Sequence, residues 1–311
     1  MAREVLPMKH VGDCYPSDGE TWLAEWEAGI DSELNRHGAS TPSTDLLGIV
    51  MPHIDFRVNR SLYYRAFLPW FISGHIPETV IILGVGHRCP HEISTHPYSC
   101  QTPLGILEAD EDVWKEWNER CPDFLSRSPR SFIGEHSIEF AAAALAAAST
   151  IIHPERATRI LPVLCGGLHD FLARGEMPQE GDEYYEIGAA LGVIIKEGNS
   201  KQIGFLVSID GCHVGPRFDH PFEGSTVTQR AVRNWEDTLW QEASHDRFEA
   251  FFNHLAPLEN MFYFDGVGAL SLLLQHQSLR VCRTGSELWF EKYDQSFVTF
   301  SSGTIESTAN E

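Results

Sequence analysis

Four short, continuous apolar runs constrain this chain more than any other feature: LLGIVM (46–51), TVIILGVG (79–86), ATRILPVLCGG (157–167) and IGFLVSID (203–210). Runs of this length, bounded by Pro, Gly or Asp, suit strands buried on both faces, where no polar alternation is needed. Between the first two, Arg60 to Gly74 reads as an aromatic-rich amphipathic helix with a glycine stop. Strand, helix, strand is the grammar of a parallel pair. Repeated along the chain, it points to an α/β fold with a central, mostly parallel or mixed sheet flanked by helices.

The remaining segments fill in that plan. Trp22, Trp26 and Ile30 recur every four residues and mark a helix over about Glu20 to Asn35. Helices are also expected near Glu111–Arg120, from His136 through Ala148, over Tyr184 to Glu197, and near 225–243, 246–254 and 266–276. The stretch before about Leu107 reads as loop with one short strand. In the tail, LRVCRT pairs with SFVTFSSGTI as edge strands. With no internal repeat and no linker, residues 1–311 read as one domain: 1–45 is an extension packed on it, and 46–311 form the α/β core with its C-terminal strands.

Composition narrows the partners. With 42% hydrophobic residues, 18 Phe and 8 Trp, the chain can bury a sizeable core. Its formal charge of −21 repels phosphate backbones and anionic membranes, which argues against nucleic-acid and membrane partners. No apolar run approaches a membrane span, since FAAAALAAASTII (140–152) is too short and reads as a buried helix running into a loop. Seven cysteines without C-x-x-C spacing argue against a disulfide framework or zinc ribbon and for a cytoplasmic setting. The oligomeric state stays open, a homo-oligomer included.

Three histidines and an aspartate stand just past strand-like segments: His53 in MPHIDF, His87 in GVGHR, His213 in SIDGCH and Asp265 in YFDG. Side chains at strand ends of an α/β protein converge on one crevice. Any one of these histidines alone fits a hydrogen-bonded loop residue. Their recurrence at one edge is what suggests a shared site. Two imidazoles plus one carboxylate is a ligand set for non-heme Fe(II), so the chain reads as a candidate metal-dependent oxygenase. GVGHRC lacks the third glycine of a dinucleotide turn, and neither G-x-S-x-G nor H-E-x-x-H occurs. In GEHSIEF, Glu135, His136 and Glu139 fit a helix start as well as a site. In DGCHVGPRFDH, Asp210, Cys212, His213, Arg217, Asp219 and His220 crowd a loop leaving an inner strand, a position that more often carries function than packing.

The order PHIDF, ILGVGH, GEHSIEF, RILPVLCGG, SIDGCHVGPRF and YFDGVGALSLLL resembles the Memo family, whose bacterial members are called AmmeMemoRadiSam system protein B. The match runs from about residue 50 to about residue 275, and G-E-H-S-I-E and S-x-D-x-C-H are its most specific pieces. The resemblance implies a fold like that of class III extradiol dioxygenases and a metal site at His53, His87 and Asp265. The chain departs from the family's pattern at the third position, which is typically cysteine in a C-G motif and here is Asp265-Gly266. A thiolate there would favour soft ions, whereas the carboxylate recreates a facial triad. The family's P-H-A-G-Y and G-P-S-H-H become P-H-I-D-F and G-V-G-H-R, which puts Asp55 and Arg88 forward as residues lining a pocket for a different substrate.

The leading expectation is an Fe(II)-dependent dioxygenase taking a small molecule, catechol-like or another metabolite, together with O2. His213 would move protons, since an imidazole with a reference pKa of about 6.5 works in both directions at neutral pH. Asp210 would orient it, and His136 with Glu139 would offer a hydrogen-bonding wall. Arg217 would anchor a carboxylate or pair with Asp219, and Cys212 is a further lining candidate. Zn or Cu are alternative ions. Two other readings use the same residues: a non-catalytic metal- or peptide-binding regulatory protein, and a zinc-dependent hydrolase.

Overall fold

The computed structural model describes residues 4–38, 43–121, 125, 129–197, 203–245, 247–275 and 279–308. Its main sheet has eight strands, seven of them in the order Leu279–Glu291, Ser296–Ser307, Leu46–Met51, Ile203–Ser208, Thr79–Val85, Arg159–Cys165, Ile93–Thr95, with His213–Val214 pairing beside Ser296–Ser307. The four apolar runs form the parallel centre. Antiparallel strands close both sides.

Several expectations change. Leu46–Met51 and Thr79–Val85 do not pair with each other, because Ile203–Ser208 lies between them, parallel to both. All three strands are apolar on both faces, so local pattern does not select neighbours. In the tail, Leu279–Glu291 is at the edge, but Ser296–Ser307 is interior, paired on its other side to Leu46–Met51. Its residues from Ser296 to Ile305 are buried. Serine and threonine at half of those positions disguise a core strand as a surface one. The loop before Leu107 also holds three short strands, Ile93–Thr95, Ser99–Thr102 and Gly105–Leu107, where one was expected.

Alternation along each central strand divides the core in two, as the pleat requires. Ile49, Met51, Val80, Ile82, Ile160, Leu164 and Leu206 face helices Gly19–His37, Arg60–Ser73 and His136–Ile152. Leu47, Ile81, Leu83, Leu161, Val163, Phe205 and Val207 face Glu183–Glu197, Thr226–Ser244 and Val267–Leu274. Helix His136–Ile152 is buried continuously from Ser137 to Ser149. Alanine suits a helix enclosed on every side, since it lets neighbours approach without a side-chain entropy cost. The expected stop near Ala148 is overrun by one turn.

The helix starts close to the sheet because Gly84 has no side chain. A Cβ there would lie 2.7 Å from Ser137 Oγ and 2.8 Å from Ile138 Cδ1. Gly268 does the same for helix Val267–Leu274, where a Cβ would meet the Cys165 carbonyl oxygen at 2.4 Å. These two approaches bring helix starts to the ends of the central strands. Among the described residues no helix is long and apolar enough to cross a membrane.

Candidate metal centre

His53 follows strand Leu46–Met51 and is held from three directions. Its backbone N–H and that of Ile54 donate to Asp210 Oδ1 at 2.9 and 3.0 Å. In the ring, Nδ1–H donates to the Ser208 carbonyl at 3.1 Å, which turns Nε2 toward Asp265 Oδ2 at 2.9 Å. The side chain is 2% exposed, so neither nitrogen is satisfied by bulk water.

His87 follows strand Thr79–Val85, which lies one strand away across Ile203–Ser208, and is oriented by Glu135. Its Nδ1 is 2.9 Å from Glu135 Oε1, and its Nε2 is 3.8 Å from Asp265 Oδ1. Glu135 also caps helix His136–Ile152, accepting from the Ser137 amide at 3.2 Å and from Ser137 Oγ at 2.9 Å. The helix then delivers His136 as its first residue, stacked on His87 with ring centroids 4.8 Å apart. Ring nitrogens of His53, His87 and His136 lie within 4.8 Å of one another.

Asp265 reaches the same point from the loop before helix Val267–Leu274. Its amide donates to the Gly211 carbonyl at 3.0 Å, and its carboxylate accepts from the Asp210 amide at 3.3 Å. The loop approaches through three left-handed residues, Glu259, Asn260 and Tyr263, with φ of 47°, 55° and 47°. Such backbone persists only where the surroundings fix it. Buried Asn260 supplies the fixing: its Oδ1 accepts from the Phe264 amide at 2.9 Å and its Nδ2 donates to the Phe264 carbonyl at 3.0 Å.

The charges follow from this packing. Burial favours a neutral His53, but Asp210 and Asp265 outweigh it and bring the ring up to about 10. Burial also opposes charge on Asp265, yet His53, then His87 and His213, hold it well below the usual carboxylate range. His136 is pushed down to about 3 by burial and by its two histidine neighbours, so it stays neutral at physiological pH. Glu135 is lowered against its burial by the hydrogen bond with His87. Metal-free, the centre is a protonated His53 clamped to Asp265 beside a neutral His136.

This donor set fits a divalent transition ion. Neutral imidazole and carboxylate suit Fe, Zn and Cu, and ligating histidines characteristically give their second N–H to a carbonyl or carboxylate, as His53 and His87 do. Two cavities flank the cluster. A cleft of about 530 Å³ is lined by His53 and His136, and a smaller one of about 200 Å³ by His87 and Asp265.

Residues 7–302 match the Memo-like protein family. The chain belongs to that family. A search of curated proteins finds no match. Among solved structures, an uncharacterized protein, JW3007, from Escherichia coli K12 superposes with a TM-score of 0.41 at 10% identity, covering 83% of this chain and 99% of that one.

The other expected site residues of this Memo-like protein fall into place unevenly. His213, Asp210, Asp55 and Arg217 line the larger cleft. Asp210 braces the His53 backbone, whereas the His213 ring is held by the Tyr263 carbonyl, to which its Nδ1–H donates at 3.3 Å. Arg217 pairs with Asp294 at 2.8 Å and Glu291 at 3.6 Å rather than with Asp219. Cys212 is 0% exposed in the core, beyond the reach of a ligand. Glu139 is committed to the N-terminal segment, accepting from the amides of Lys9 and His10 and from Tyr15 Oη. Arg88 donates to the Ile133 carbonyl and lines neither cavity.

Sequence reasoning missed Glu135 as the orienting carboxylate and His10 as a cleft residue. The E-H pair at the helix start was a usable signal for the first. Nothing in the local sequence around His10 signals a site, because its position depends on a contact with Glu139 far along the chain.

Proposed function

We propose that this Memo-like protein is an Fe(II)-dependent dioxygenase acting on a small molecule bound in the larger cleft. The observation that carries the reading is the Asp265 carboxylate, which turns one oxygen toward Nε2 of His53 and the other toward Nε2 of His87, at 2.9 and 3.8 Å. Those three groups make a two-histidine, one-carboxylate set with room on the cleft side. Fe(II) held this way supplies one-electron chemistry toward O2 and Lewis acidity toward a substrate oxygen.

The protein's own residues do the rest. The His213 Nδ1–H is engaged by the Tyr263 carbonyl, which leaves Nε2 as the basic nitrogen. That nitrogen takes a proton from a substrate hydroxyl and can return one later. His136, neutral beside the ligands, accepts or donates a hydrogen bond without adding charge. Asp210 keeps His53 in register through its backbone.

A second reading rests on a different observation. The clustering of His53, His87 and His136 is a three-imidazole set, the kind that holds catalytic zinc and activates water for hydrolysis. Oxygen uptake separates the two. Iron-loaded protein that consumes O2 in the presence of a bound catechol supports the dioxygenase, and a zinc form that hydrolyses esters with no O2 uptake by the iron form supports the hydrolase.

A further inference from the structure

The larger cleft carries information about the charge of its ligand. Among the described residues, Arg217 is the only lysine or arginine that lines it. Its guanidinium is taken up by Asp294 and Glu291 and lies over the Trp289 ring, 5.1 Å from the centroid. Asp55 and Asp210 also line the cleft, the first paired with Arg57. Away from the metal centre, a ligand carboxylate would face these two acids, and among the described residues no unpaired lysine or arginine lines the cleft to receive it.

The walls are otherwise apolar on one side and hydrogen-bonding on the other. Ile54, Phe218, Trp289 and Val298 belong to one apolar cluster. Toward the metal centre stand His136 and His10, and His10 Nε2 is a buried nitrogen with no hydrogen-bond partner among the described residues. Burying such an atom is costly unless a ligand completes it. The main chain of His10 is pinned by Glu139 at 2.7 Å, so the nitrogen is presented rather than loose.

We propose that the cleft selects an aromatic hydroxyl compound without a carboxylate, its ring against Trp289 and Phe218 and its hydroxyls toward His10 and the histidine cluster. The hydroxyl placement rests on the metal-centre reading above. The exclusion of carboxylates rests on the cleft alone.

The test is calorimetric titration of the full chain, with and without one equivalent of Zn(II), using 4-methylcatechol and 3,4-dihydroxybenzoate, with metal content measured on the same samples. The proposal expects 4-methylcatechol to bind about tenfold tighter or more. It expects Trp289→Ala to weaken that binding about tenfold and His10→Leu several-fold, with metal content unchanged. A parent chain that holds no zinc yet keeps the preference supports the cleft inference while removing the metal reading. Equal or tighter binding of 3,4-dihydroxybenzoate, binding of neither probe, or unchanged affinity in both variants overturns it.

Discussion

His53 and Asp265 meet at 2.9 Å, Nε2 to Oδ2, at a point reached from the end of one strand and from the loop before a distant helix. In the metal-free protein this contact is an ion pair, because the two neighbouring carboxylates raise His53 to about 10. A metal ion must therefore take the place of a proton.

With His53 raised to about 10, and His87 raised as well by Glu135 and Asp265 against its burial, metal binding at pH 7 releases more than one proton per ion, and affinity climbs as pH rises from 6 to 9. Zinc titrations in two buffers of different ionisation enthalpy give the number directly. The sign for the metal-free fold is opposite: a raised histidine contributes stability fully below its unfolded value of about 6.5 and loses it as pH rises toward the folded value. The metal-free melting temperature should fall from pH 7 to pH 10, and a rise would contradict the ion pair.

Glu135 orients His87 through its Nδ1 at 2.9 Å. Glu135→Gln retains an acceptor for the helix cap but replaces the carboxylate facing the imidazole. Metal affinity should drop about 10- to 100-fold, the usual cost of losing an outer partner of a ligating histidine, with little change in melting temperature. Unaltered affinity would show that His87 does not bind metal.

His213→Ala should keep the metal and lose turnover by about 10²- to 10⁴-fold, the range for removing a general acid or base. Metal analysis beside oxygen uptake reads both quantities. Loss of metal in this variant would put His213 among the ligands instead.

Gly84→Ala tests how the helix start is placed. The added Cβ, 2.7 Å from Ser137 Oγ, must push back the turn that carries Glu135 and His136. Urea denaturation should show a loss of about 1–3 kcal/mol, as overpacking typically gives, together with weaker metal binding. A stable variant with unchanged metal affinity would mean that this approach does not position the centre.

How much of this was legible in the sequence depends on range. The central strands could be read because each is a closed apolar run, and His53 and His87 followed because strand ends share an edge. Strand order could not be read, since Ile203–Ser208 is as apolar as the strands it separates. The interior strand Ser296–Ser307 was disguised by Ser296, Ser301 and Ser302, which are buried although polar. Glu139 was read as part of a site wall, and Arg217 as a carboxylate anchor or a partner of Asp219, because their actual partners, the Lys9 and His10 amides and the Asp294 carboxylate, lie far along the chain. Cys212 sat in a polar stretch, yet its amide donates to Thr299 Oγ1 at 2.7 Å and its side chain faces the core.

The most direct test is anaerobic Fe(II) loading followed by metal analysis of the parent, Asp265→Ala and His136→Ala. About one iron per chain is expected in the parent and in His136→Ala, and none in Asp265→Ala. Iron retained without Asp265 and lost without His136 would contradict that expectation and make the three histidines the ligand set.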